Sequence, residues 1–77
     1  MHDGDQKPRF NLSLMRQDMA AKGWLNTDLA RSARVSDMTV SRFLRGDRQT
    51  ARTAKKLARA LGYSVRRYLL TAEKSAA

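Results

Sequence analysis

Apolar residues along this chain recur at spacings of three and four, the period that gathers side chains on one face of an α-helix. Leu12, Met15 and Met19 do so first, and their spacing predicts a helix over 12–22. Asn11 or Ser13 suits its N-cap, because either side chain can accept a hydrogen bond from an amide two or three residues on. Gly23 suits its left-handed stop. Leu29, Ala30 and Ala33 mark a second helix over 26–33; Val40, Phe43 and Leu44 mark a third over 37–45, ended by Gly46. Between them Arg34-Val35-Ser36 reads as a turn, with Ser36 capping the third helix and Val35 stapling the turn to the core. Thr50 caps a fourth helix over 51–61, whose apolar stripe is Ala54, Leu57, Ala58 and Leu61, and Gly62 ends it. Ser64 opens a short fifth helix over 65–70, with Tyr63, Val65, Tyr68 and Leu69 closing the core. Trp24 reads as a plug between helices. No stretch alternates with period two, so the expected fold is all-α, five short helices and no strand.

Periodicity also sets the domain limits. Residues 1–10 hold the sole proline and no pattern, and read as an N-terminal tail; residues 11–70 form one domain; residues 71–77 read as a C-terminal tail. A chain of 77 residues has room for one modest core. Its 42% hydrophobic content argues against a wholly disordered chain. With no cysteine there is neither a disulfide framework nor a thiolate metal site, which fits a cytoplasmic protein. No long apolar run follows Met1, so neither a signal peptide nor a membrane span is expected.

Charge changes the picture most. The net charge is +9, and it is unevenly spread. Residues 1–41 carry six basic and five acidic side chains, residues 42–77 ten basic and two acidic. A field this strong attracts polyanions, nucleic acid first among them. The basic fourth helix pairs its charge with a face of Ala and Leu, which suits a core rather than a membrane surface. The only histidine, His2, lies in the tail, and no paired carboxylates, serine–base pair, metal spacing or phosphate-binding loop can be assembled. No enzyme activity and no cofactor are expected.

The stretch NTDLARSARVSDMTVSRFLR, residues 26–45, has the spacing of a helix-turn-helix. Ala30 is small where two helices cross steeply, and Val40 and Phe43 anchor the second helix so that it stands proud of the body, where a major groove can admit it. Leu29-Ala30, Val35-Ser36, Thr39-Val40-Ser41-Arg42, Arg45-Gly46 and Leu57-Ala58-Arg59-Ala60-Leu61-Gly62 together resemble the lambda repressor/Cro-like (XRE-like) helix-turn-helix family, over about residues 12–70. Three positions depart from it. Arg34 stands where the turn usually has glycine; Met19 and Leu44 stand where many relatives pair an arginine with a glutamate, so an apolar contact is expected there; and Leu25 and Asn26 stand where a glutamine and a capping serine are common.

The resemblance implies a sequence-specific, double-stranded DNA-binding transcriptional regulator, read as a repressor, acting as a homodimer on a two-fold operator. It places base contacts at Asp37, Met38 and Arg42, with Ser41 adding a polar contact. The fork of Arg42 matches guanine O6 and N7, and Met38 can lie against a thymine methyl. Asp37 stays open between a helix-dipole aid, a cytosine N4 acceptor and a guard against wrong registers. Phosphate contacts are expected from Asn26, Thr27, Ser36, Thr39, Arg45, Arg48 and Arg52, at helix N-termini and in flanking cations. Asn26 can also serve as the cap of the second helix. Lys55, Lys56, Arg59, Arg66 and Arg67 supply general field, and Tyr63, Tyr68, Leu69 and Leu70 are candidates for the pairing surface. Two alternatives stand: an antitoxin-type autorepressor with a protein partner, and a non-specific architectural nucleic-acid-binding protein.

Overall fold

A computed structural model describes residues 9–47 and 49–70. Among these described residues there are four α-helices, α1 (Leu12–Lys22), α2 (Asn26–Ala33), α3 (Asp37–Leu44) and α4 (Ala51–Leu61), followed by one 3-10 turn, Val65–Arg67. The apolar stripes predict the inner faces well. Met15 and Met19 of α1, Leu29 and Ala30 of α2, Val40, Phe43 and Leu44 of α3, and Ala54, Leu57, Ala58 and Leu61 of α4 are all buried in one core. α4 is the keystone, touching α1, α2, α3 and the 3-10 turn.

All four helices end in the same way. The residue after the last turn bonds three positions back and its successor five back: Gly23 to Ala20 and Trp24 to Met19, Arg34 to Arg31 and Val35 to Ala30, Gly46 to Phe43 and Asp47 to Arg42, Gly62 to Arg59 and Tyr63 to Ala58. This two-bond closure needs a left-handed residue. Arg34 is the one such residue with a Cβ, at φ 61° and ψ 44°, so the turn of the helix-turn-helix holds a strained arginine where glycine would sit freely.

Four expectations are corrected. The fifth helix is only the three-residue turn, because Leu69 leaves the helical path to form an isolated antiparallel bridge with Phe10. Phe10 is therefore no tail residue: it is 5% exposed, its ring lies 5.6 Å from that of Phe43, and Arg9 accepts the Leu70 amide at 2.8 Å. α3 ends at Leu44, with Arg45 as its cap. The cap of α2 is Leu25, not Asn26, which is the first helical residue; the Asp28 carboxylate reaches back 2.8 Å to accept the Leu25 amide. Asn11 does cap α1, accepting from the Leu14 amide at 3.0 Å. Trp24 is half-buried against the core edge, with the Lys22 ammonium 5.2 Å from its ring.

Candidate nucleic-acid interface

α3 is fixed on three sides, which leaves its fourth free. Its inner residues Val40 and Phe43 are fully buried. Its start is locked by Ser36, whose hydroxyl accepts the Thr39 amide at 3.0 Å and lies 2.8 Å from the Thr39 hydroxyl. Its end is held from α1: the Arg16 guanidinium donates to the Leu44 carbonyl at 2.7 Å. An apolar contact alone was expected at that end. Met19 and Leu44 do both lie in the core, but Arg16, one turn before Met19, adds a polar tie to a carbonyl rather than to a carboxylate.

The free side presents Asp37, Met38, Arg42 and Arg45, all exposed, with Thr39 and Ser41 half-buried at its edges. Met38 is 58% exposed, a large apolar side chain held in water by a rigid helix. Met38, Thr39 and Arg42 line one wall of a groove of about 240 Å3, and Thr50 and Thr53 of α4 line the other. Both walls are built from the same cap. The Thr50 hydroxyl accepts the Thr53 amide at 3.2 Å and donates to the Thr53 hydroxyl at 3.0 Å, repeating the Ser36–Thr39 arrangement. The groove thus combines one guanidinium, one thioether and three threonines whose hydroxyls are already tied within the protein.

The other site residues are dispersed around this groove. Asn26 and Thr27 are exposed in the first turn of α2, and Arg52 in the first turn of α4. Arg45 is exposed but shares its charge with Asp47 at 3.2 Å. Arg48 lies outside the described residues. Thr53 was not foreseen at all, and Thr50 only as a cap. The repeated pattern of a capping hydroxyl followed three residues later by threonine marks both helix starts in the sequence, but not that they face each other.

A second cluster had no sequence signal. Asp18 on α1 is 8% exposed, and it accepts from Arg67 Nε at 2.8 Å, Arg67 Nη2 at 3.0 Å and the Tyr68 hydroxyl. The Arg67 hydrogen bond holds the Asp18 carboxyl below its ordinary range against the opposing effect of burial. Burial, with the Asp18 hydrogen bond, pushes the Tyr68 phenol well above its ordinary value. Arg67, also 4.2 Å above the Tyr63 ring, is thus a structural clasp rather than part of a general field. Tyr68 is wholly buried and Leu69 half-buried, so of the four pairing candidates only Tyr63 and Leu70, 42% and 52% exposed, remain available at the surface.

Among the described residues no group of three His, Cys, Asp or Glu side chains is placed to hold a metal ion. No described helix is long and apolar enough to cross a membrane. Comparison with curated proteins and with solved structures found no match. A family model described as Helix-turn-helix matches residues 15–67, from the first buried methionine of α1 to the arginine that clasps Asp18. That match covers more than half of the chain, most of α1 and the whole of α2, α3 and α4, with the exposed face of α3 near its centre: the protein belongs to the lambda repressor-like (XRE-like) helix-turn-helix family of DNA-binding regulators.

Proposed function

We propose that this protein is a sequence-specific transcriptional regulator, a repressor, that reads the major groove of double-stranded DNA with α3. One observation carries the reading: Met38 and Arg42 project from a helix whose inner face, start and end are each fixed by separate contacts. Preorganised side chains at a groove-sized helix are what direct readout needs. Arg42 takes guanine O6 and N7, Met38 packs on a neighbouring thymine methyl, and Asp37 and Ser41 add polar selectivity. Backbone contacts come from Asn26 and Thr27, from Ser36 and Thr39, and from Arg45, Arg48 and Arg52. Because one such helix reads only a short half-site, the protein works as a homodimer on a two-fold operator with half-sites about 34 Å apart. Tyr63 and Leu70 are the exposed apolar residues that support a pairing surface near the C-terminal segment. Repression follows from occupancy of that operator.

Selection of bound duplexes from a random pool tests this directly. The expected product is a motif of two inverted half-sites one helical turn apart, containing guanine at the Arg42 position. Recovery of sequences with no common motif would refute the reading and favour a non-specific architectural role.

A further inference from the structure

α4 carries a basic stripe of which operator reading uses only the first residue, Arg52. Arg52, Lys55, Lys56 and Arg59 are all exposed and stand at i, i+3, i+4 and i+7, one stripe along the helix. At 3.6 residues per turn, the stripe lies opposite the buried Ala54, Leu57, Ala58 and Leu61, and its centre is about 110° round the helix from Thr53. Thr53 is the residue that lines the groove beside α3. Lys55 and Arg59 form the flank turned farthest from that groove. α4 contains no acidic residue. The four described aspartates are placed elsewhere: Asp18 on Arg67, Asp47 on Arg45, Asp28 on the Leu25 amide and Asp37 in the first turn of α3. From Lys55 to Arg59 the stripe is about 6 Å long at 1.5 Å per residue, a span of some two phosphates along one strand.

The geometry points to a second DNA-binding surface on α4, one that holds the phosphate backbone of another duplex, without regard to sequence, while α3 occupies its own. Charge complementarity selects the occupant: beyond Arg52, which the operator reading already uses, three flexible cations on a stiff rod, with no aromatic platform among them, fit a duplex backbone rather than unstacked bases. The protein therefore bridges two DNA segments. This inference rests on the reading above only for the duplex that α3 holds.

A capture assay tests it. A duplex carrying the selected site is fixed to beads, full-length protein is added, and retention of a fluorescent duplex of random sequence is measured across a salt series. Wild-type protein is expected to retain the second duplex. Lys55→Gln/Arg59→Gln is expected to cut retention at least tenfold and to lower the salt slope of that step by about 1.8, with affinity for the site duplex alone within twofold. Three results overturn the inference: wild type that holds the site duplex but retains no second one; a variant that bridges as well as wild type, which would assign bridging to the second α3 of a dimer; and a variant that loses both duplexes in parallel, which would place the stripe on the same DNA as α3. Failure of the operator reading is distinguishable, since it appears as equal affinity for site and random duplexes on the beads, and retention of a second duplex can still be scored with random DNA in both places.

Discussion

Replacing Asp18 by alanine removes one acceptor from three donors at once, and the consequences for each differ. The Tyr68 hydroxyl belongs to a residue with no exposed surface, so once its partner is gone it stays buried and unpaired. Leaving such a group unsatisfied costs about 1–3 kcal/mol. Arg67 is far more accessible and turns to water, so its loss adds only a minor part. For a domain this small, each kcal/mol lowers the melting temperature by about 4–8 °C, which predicts a fall of about 5–20 °C. Asp18→Asn keeps an oxygen for the Tyr68 hydroxyl but gives up the charge and replaces one acceptor of Arg67 by an NH2 donor, so it should fall between wild type and alanine. Thermal melts followed by circular dichroism at 222 nm measure all three proteins under one condition. Asp18 lies on the α1–C-terminal seam, away from the groove at α3, so DNA affinity of the still-folded variants at 10 °C should match wild type. An Asp18→Ala protein melting within about 2 °C of wild type would refute the reasoning, because the burial of Tyr68 would then demand no partner.

Further outcomes follow from the same geometry. Asp18 has a folded-state pKa below its unfolded value, so its stabilisation is complete above the unfolded value near 3.8 and is lost as pH falls through the lower folded one; acid titrations of wild type and Asp18→Asn should converge below about pH 4, and parallel curves would contradict this. Arg34→Gly should raise stability by about 0.5 kcal/mol, relief of left-handed strain outweighing the added freedom of the unfolded chain, whereas Arg34→Val should lower it; urea midpoints in the reverse order would count against the turn geometry. Arg52→Ala should weaken binding to all duplexes alike and reduce the salt slope by about one, and an unchanged slope would remove Arg52 from the backbone contacts.

The helices were legible because their determinants are local. The stripe of α4 and the Ser36 and Thr50 caps involve residues three or four apart, and sequence reading placed them where they stand. What escaped it depends on partners far along the chain. Asp18 looks like any solvated acid on a helix until Arg67 and Tyr68 arrive about fifty residues later. Phe10 sits among tail residues, and only the bridge to Leu69 and the ring of Phe43 bring it into the core. Arg16 and Met19 are one turn apart on α1, and periodicity cannot say which of them meets the end of α3. Val65 and Tyr68 continued the helical spacing, yet pairing of Leu69 with Phe10 satisfied the backbone differently and cut the last helix to one turn. At the candidate interface the exposed residues of α3 were readable from the complement of its core face. The opposing wall, Thr50 and Thr53, was not, since a helix wheel does not reveal which neighbouring helix start abuts it.

On the proposed reading, Arg42 recognises a base rather than merely a charge. The measurement that tests it most directly is the dissociation constant of wild type and Arg42→Ala on the selected site and on a scrambled duplex of the same length and composition, at one salt concentration. Base readout predicts a loss of about 5- to 150-fold on the site, equivalent to 1–3 kcal/mol, with less than a twofold change on the scrambled duplex. Equal losses on both duplexes would contradict the account and reduce Arg42 to one more phosphate contact.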